Sequence, residues 1–167
     1  MSSLPCITLW QPFSSLIACG AKSIETRSWP PSHHLIGRRI AIHAAKKAGP
    51  FNLDAETATG IAKALGVGPG SWHTLPLGAV VATVKLEGAY QVQRWDRGCE
   101  IEFRRDAVAG SPQTCGISLA PPEHLFGDYR QGRWLWMLGD IEKVEPASPA
   151  KGAQGVWMWD PVRELAH

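Results

Sequence analysis

Six short segments, none longer than eight residues, constrain the fold of this chain more than any other feature of its sequence. Each is either apolar throughout or alternates between apolar and polar residues, which is typical of β-strands. They span residues 4–9, 23–29, 38–45, 78–84, 133–138 and 155–159. The segment 133–138 (RWLWML) is almost entirely apolar, which favours a central strand, whereas 38–45 alternates and predicts a half-buried one. The sequence therefore predicts a sheet of short strands.

Two segments with helical spacing interrupt these strands. The first covers residues 11–20, with Pro12 in its first turn and Gly20 at the left-handed position after its last turn. The second covers residues 54–65 and leads into a glycine-rich turn at 66–70. Helices mixed with strands in this way predict the α+β class, with a curved or closed sheet and two or more helices packed against it.

The amino-acid composition limits the number of domains, the cofactors and the cellular setting that we expect. A chain of 167 residues with 44% hydrophobic and 19% charged residues fits one domain over residues 1–167, with a core of its own. The six histidines show no metal-ligand spacing, so we expect no metal and no cofactor. The four cysteines lack a C-x-x-C pair, which favours reduced thiols in the cytoplasm. No apolar run approaches the roughly 18 residues of a membrane span, so no membrane partner is expected.

The segment 22–27 (KSIETR) concentrates charge directly after the first predicted helix. Lys22, Glu25 and Arg27 lie within six residues, and strand alternation places Glu25 and Arg27 on one face. An isolated pattern of this kind is more often a solvated ion pair that contributes little to stability. The other explanation is a site that holds a polar ligand.

Aromatic and polar residues around this segment suggest a surface for a flat ring. Trp10 and Trp29 bracket the charges, and Trp10 beside Gln11 offers both a stacking face and an amide that can read a base edge. The alternative for Trp10 is that it closes the end of a barrel. His43 follows an apolar run, where it either faces a cleft or is a buried histidine with satisfied hydrogen bonds.

An ordered series of blocks resembles the ASCH domain family, a branch of the PUA-like superfamily. The blocks are ITLWQPFSSLIACGAKSIETRSWP at 7–30, IAIHAAK at 40–46, GAVVATVKL at 78–86, FGDYRQGRWLWML at 126–138 and PAKGAQGVWMWD at 149–160. The resemblance implies a small β-barrel with helices set against it and a cleft beside G-x-K-x-x-E-x-R. It also implies one of several roles, namely nucleic-acid binding, ribonuclease activity or hydrolysis of N4-acetylcytidine.

This chain differs from the small bacterial amidohydrolases at the position of their catalytic threonine. Their motif is G-x-K-T-I-T-I-R, in which the lysine and the threonine three residues later act with a distant glutamate. Here Glu25 occupies the threonine position. We therefore predict that Glu25 acts as the base on a water molecule and that Lys22 stabilises the oxyanion or protonates the leaving nitrogen, with Ser23 as a fallback hydroxyl nucleophile.

Two functions follow from this reading. The first is a metal-independent amidohydrolase that acts on the amide C–N bond of N4-acylated cytidine or a similar nucleoside, a small-molecule partner. The alternative is an RNA-binding or single-stranded nucleic-acid-binding module without catalysis, or a ribonuclease. The net charge of +2 favours the small substrate, because strand binding needs several clustered cations. The predicted substrate-binding residues are Trp10, Gln11, Arg27, His43, Tyr129 and Lys151.

Overall fold

The computed structural model describes residues 2–49, 52–96, 100–105 and 113–161, without the side chains of residues 104, 105 and 113. These residues divide into two compact units. The first unit contains residues 2–22, 39–49, 52–85 and 140–161, and the second contains the described residues of 23–38 and 86–139. The single-domain expectation stays a prediction.

Eight strands and two α-helices are found among the described residues. The strands are β1 (Leu4–Gln11), β2 (Ile24–Arg27), β3 (Arg39–Ala48), β4 (Ala79–Trp95), β5 (Glu100–Arg105), β6 (Gln113–Ser118), β7 (Trp134–Pro149) and β8 (Val156–Trp159). The helices are α1 (Phe13–Ala18) and α2 (Ala55–Leu65). Short 3-10 turns occur at His33–Leu35, Trp72–Thr74 and Glu123–Leu125. Within the described ranges, no helix is long and apolar enough to cross a membrane.

The first unit is a mixed sheet with helices against it. β1 pairs in parallel with β3 and antiparallel with β8, and β3 pairs antiparallel with the first half of β4. α1 packs against β1, β3 and α2. The core between these elements contains Cys6, Ala41, Val80, Ala150 and Trp159.

Helix α2 shows how its local sequence sets its ends. The Asp54 side chain accepts a 2.9 Å hydrogen bond from the backbone N–H of Thr57, which caps the first turn. Gly66 ends the helix with φ at +67°, a backbone conformation that glycine adopts without steric cost. The predicted second helix is therefore confirmed, and Asp54 and Gly66 are its capping residues.

The second unit is antiparallel. β2 pairs with the first half of β7, the second half of β4 pairs with β5, and β5 pairs with β6. Its core comprises Ile24, Val92, Ile101, Leu119, Tyr129 and Leu135. β4 and β7 are 17 and 16 residues long, and each contributes residues to both units.

The predicted α+β class is confirmed, and all six predicted strands are present. One expectation about them was wrong. β3 is buried at every position from Ile40 to Ala44, whereas a half-buried strand was predicted. The reason is that α1 packs against this strand while Ala41 packs with Cys6 and Trp159 in the core.

Candidate functional site

Lys22, in the first unit, is buried. Its backbone N–H donates to the carbonyl of Leu16, which places it directly after α1. Only 1% of the residue is exposed, and its Nζ lies 5.9 Å from the centroid of the Phe13 ring, within the range of a cation–π contact. Lysine is almost never buried to this degree unless it is paired. Lys22 is therefore not a solvated residue at a helix end.

Glu25 and Arg27 lie together on β2 in the second unit, on one face as predicted. Arg27 Nε is 3.4 Å from Glu25 Oε1, and the guanidinium lies 5.5 Å from the ring centroid of Trp29. Burial lowers the pKa of Arg27, the positive charge of Arg133 lowers it further, and Glu25 opposes both effects. Glu25 itself is 8% exposed, so this ion pair is largely removed from water.

Thr26, between them, is held by residues that precede β7. Its hydroxyl oxygen accepts a 2.9 Å hydrogen bond from the N–H of Asp128, and its carbonyl accepts one of 3.1 Å from Arg133. Two hydrogen bonds of 2.8 and 2.7 Å join Arg130 to the Asp128 carboxylate, and they lower the pKa of that carboxyl. This arrangement fixes the middle of β2.

Ser23 is held by Glu123, a residue that the sequence did not point to. The Glu123 carboxylate accepts hydrogen bonds from the N–H groups of Ser23 and Ile24, and the Ser23 hydroxyl donates to it at 2.9 Å. These three hydrogen bonds tie the carboxylate to the first residues of the strand. Glu123 therefore positions the start of β2. It lies 100 residues from Ser23 in a stretch without a recognisable pattern, so no sequence signal could have identified it.

Tyr129 is a core residue of the second unit. It is 0% exposed, and its hydroxyl donates a 3.2 Å hydrogen bond to the carbonyl of Glu123. Burial raises the pKa of Tyr129 strongly, and the charges of Glu123 and Glu25 raise it further. The phenol therefore stays protonated and braces the turn that carries Glu123.

Gln11 and His43, in the first unit, are both buried with internal partners. Gln11 donates to the carbonyl of Pro76 at 2.6 Å and accepts from the N–H of Ser15 at 3.2 Å, which ties β1 to α1. The His43 ring contacts the Thr8 hydroxyl through Nδ1 at 3.2 Å and the Ala150 carbonyl through Nε2 at 3.1 Å. Burial lowers the pKa of His43, and the contact with Ala150 partly opposes this shift.

Trp10 and Lys151, also in the first unit, are exposed. Trp10 is 45% exposed, and it lies where the β1–β3 register is interrupted between Leu9 and Gln11. The residues of β3 at this interruption include the exposed Lys46 and Lys47. This edge of β1 therefore presents an aromatic face beside positive charge.

The predicted site residues fall into two groups. Trp10, Gln11, Lys22, His43 and Lys151 belong to the first unit, and Ser23, Glu25, Arg27 and Tyr129 belong to the second. Within the second unit, Ser23 and Tyr129 meet at Glu123, and Glu25 meets Arg27. Among the described residues, no group of three or more His, Cys, Asp or Glu side chains is arranged to hold a metal ion.

Comparisons with known proteins agree on one family. The model of the ASCH domain matches residues 7–146. A crystal structure of a tyrosine-to-phenylalanine mutant of ZmASCH from Zymomonas mobilis is similar in fold, with a TM-score of 0.50, 16% identity, and coverage of 97% of this chain and 95% of that one. A serine-to-alanine mutant of the same protein gives a TM-score of 0.50, 18% identity, and coverage of 97% and 93%. These similarities confirm the predicted PUA-like fold. No curated protein matches the sequence.

Proposed function

Since the chain belongs to the ASCH domain family, we propose that it is a metal-independent amidohydrolase that removes the acyl group from N4-acylated cytidine or a related cytosine nucleoside. The observation that supports this most is the burial of Lys22, which is 1% exposed and stands three positions before the buried Glu25. The charged groups of ordinary surface ion pairs, in contrast, remain exposed to water.

The cost in free energy of burying charged groups is the reason why buried Lys22 and Glu25 indicate a functional role. Removing an ammonium or a carboxylate from water costs several kcal/mol per ion in real proteins, and the attraction between partners repays this only with good geometry. A hydrophobic side chain of similar size would stabilise a core at least as well. Strongly buried ionisable groups are therefore concentrated at functional sites.

In the proposed reaction, the Glu25 carboxylate removes a proton from a water molecule as the water oxygen attacks the acyl carbon. The Lys22 ammonium stabilises the oxyanion of the tetrahedral intermediate. When the C–N bond breaks, a proton passes to the N4 nitrogen, and the products are a carboxylic acid and cytidine. Lys22 or the protonated Glu25 supplies that proton.

Arg27 and Ser23 have supporting roles in this scheme. The guanidinium cannot act as a base, so Arg27 orients the Glu25 carboxylate from 3.4 Å. The Ser23 hydroxyl already donates to Glu123, so a water nucleophile is preferred to Ser23. Arg27, Trp10, Gln11, His43, Tyr129 and Lys151 are retained as candidate substrate-binding residues.

The test is to incubate the purified chain with a panel of N4-acylated cytidines and to follow the release of cytidine. We expect turnover by the wild type and a loss of about 100-fold or more in Lys22→Ala and Glu25→Ala, the usual contribution of a positioned acid or base. Lys85→Ala is the matched control, because Lys85 is an exposed lysine on β4. Absence of turnover across the whole panel would rule out the proposal.

The exposed edge at Trp10 favours a second candidate, a module that binds single-stranded nucleic acid. Base stacking on an exposed aromatic side chain contributes about 1–3 kcal/mol per base, and Lys46 and Lys47 lie where they can approach phosphates. The side chains of Arg104 and Arg105, which form another basic pair in the sequence, lie outside the described residues. Together with Arg38 and Arg39 these make three basic pairs in the sequence, a modest number compared with dedicated nucleic-acid binders.

Titration with single-stranded and duplex oligonucleotides at several salt concentrations tests this candidate. Binding through this edge predicts that Trp10→Ala weakens affinity for single strands and that Lys47→Ala reduces the salt dependence. Affinity that is undetectable even at low salt rules it out.

A further inference from the structure

A loop between β7 and β8 wraps around the imidazole of His43. We call residues 150–153 the strap. The carbonyl of Ala150 contacts Nε2 at 3.1 Å, and the carbonyl of Ala153 accepts from the Thr8 hydroxyl at 3.1 Å. A Cβ added to Gly152 would lie only 2.4 Å from His43 Cε1, so the strap backbone lies directly against the ring. The strap also carries the exposed Lys151.

Four polar contacts converge on the ring and on the hydroxyl beside it. His43 contacts Ala150 O and Thr8 Oγ1, Trp157 Nε1 donates to Thr8 Oγ1 at 3.1 Å, and Thr8 contacts Ala153 O. Each contact needs its own proton. The indole supplies one, the hydroxyl supplies one, and a neutral imidazole supplies only one more.

Each tautomer of the neutral ring leaves one of the four contacts without a proton. With the proton on Nε2, the ring bonds Ala150, and the single Thr8 proton serves either Nδ1 or the Ala153 carbonyl, so one of these two contacts is not a hydrogen bond. With the proton on Nδ1, Thr8 bonds Ala153, and the Ala150 carbonyl faces a ring nitrogen that has no proton. Only the imidazolium makes all four contacts hydrogen bonds, because it carries protons on both nitrogens.

Among the described side chains that pack against the ring, none titrates, so the imidazole itself is the titrating group. β1 brings Thr8 to it, β4 brings Val80, and β8 brings Trp157 at 5.5 Å between ring centroids. None of these side chains changes charge in the ordinary pH range. On the strap itself, Lys151 is the charged side chain, and it is exposed.

We propose that protonation of His43 controls how tightly the strap is held, by moving the Thr8 hydroxyl proton from the ring to the Ala153 carbonyl. When His43 is neutral, Nδ1 competes with the Ala153 carbonyl for the Thr8 proton, or the Ala150 carbonyl faces an unprotonated nitrogen; when His43 is charged, both strap carbonyls have a hydrogen bond. His43 is thus a positioning residue for the segment that presents Lys151. This inference does not depend on the proposed hydrolase activity.

Burial of the ring disfavours the imidazolium form that makes all four hydrogen bonds. The desolvated site lowers the pKa of His43, while the hydrogen bond to Ala150 raises it. The strap is therefore in its looser state at neutral pH and tightens only as the solution becomes acidic.

The test is an NMR titration of the full chain that follows the His43 ring nitrogens together with the carbonyl carbon of Ala153, whose shift reports hydrogen bonding. We expect the Ala153 shift to move with the midpoint of His43. Thr8→Val keeps the side-chain shape and removes the hydroxyl, so the Ala153 response should disappear. Thr8→Ser, the matched control, keeps the hydroxyl and should preserve the response.

Three results would overturn the proposal. They are an Ala153 shift that does not follow His43 in the wild type, an unchanged response in Thr8→Val, and a His43 ring that does not titrate before the chain unfolds in acid. The first and third need only the wild-type protein, so the test does not depend on the folding of a variant.

Discussion

Arginine–carboxylate contacts occur in both units, and their surroundings differ. In the second unit, the Arg27 and Glu25 side chains are 18% and 11% exposed. In the first unit, Arg39 contacts Asp140 and Glu142, and both carboxylate side chains are 64% exposed. Exposed pairs of the second kind contribute about 0–1 kcal/mol, whereas a buried pair becomes costly once one partner is removed. Burial, rather than the density of charge, distinguishes the candidate site.

The largest effect is expected from Glu25→Ala. This substitution leaves the Arg27 guanidinium in its buried position without the carboxylate 3.4 Å away, and we expect the free energy of unfolding to fall by about 3 kcal/mol. Urea denaturation measures this change. Glu142→Ala is the matched control and should cost no more than about 0.5 kcal/mol. Equal losses in the two variants would contradict the claim that the buried pair of the second unit matters more for stability than the exposed contacts of the first.

A smaller loss in the free energy of unfolding is expected from Glu123→Ala. This variant tests whether the Glu123 carboxylate holds the start of β2. The change leaves the N–H groups of Ser23 and Ile24 without their acceptor, at a cost of about 2 kcal/mol. Amide hydrogen exchange at these two positions should accelerate. Glu123→Gln keeps an acceptor oxygen and should behave almost as the wild type. Loss of protection in the glutamine variant would mean that the charge itself is required.

The third prediction concerns how the free energy of unfolding depends on pH through His43. This residue belongs to a buried network whose described partners are uncharged, unlike the buried ion pair of the second unit. The pKa of His43 in the folded chain lies below its usual value of 6.5, so between those two values the unfolded chain binds more protons. The contribution to stability is complete above about 6.5 and is lost as pH falls through the folded pKa, by up to about 1.4 kcal/mol per pH unit. Urea unfolding at several pH values should show a shallower dependence in His43→Gln. An identical slope in the variant contradicts this assignment.

The smallest effect is expected from Arg39→Met, which breaks the exposed contacts of the first unit. The free energy of unfolding should change by less than about 1 kcal/mol, because both carboxylates remain hydrated. Any loss should shrink further in high salt, which screens exposed charges. A large loss that is insensitive to salt would show that this network, too, is effectively buried.

Most helices and strands could be predicted because the residues that determine them lie within or next to each element. The apolar run that became β1 and the capping residues Asp54 and Gly66 of α2 act within a few positions of the elements they define. β6 was not predicted, because its sequence QTCGIS has no strong alternation and its strand is defined by pairing with β5. The full lengths of β4 and β7 were missed because their second halves are more polar, and that of β4 is held by its pairing with β5.

The candidate site could be predicted only in part. Neighbouring residues share a motif, so Glu25 and Arg27 on one face of β2 followed from alternation alone. The burial of Lys22 and the hydrogen bonds that Glu123 accepts depend on parts of the chain distant in sequence. The same limit applies to His43, whose two partners come from β1 and from the strap.

The pairing of β1 with β8 has a consequence for the chain as it leaves the ribosome. Ile7 pairs with Val156, so one edge of β1 waits for a partner that is synthesised about 150 residues later. At roughly 5–20 residues per second, that interval is on the order of ten seconds. Throughout it the nascent chain carries an unpaired apolar edge, the kind of surface that recruits chaperones and promotes aggregation. The yield of folded protein should therefore depend on how fast the last strand is delivered.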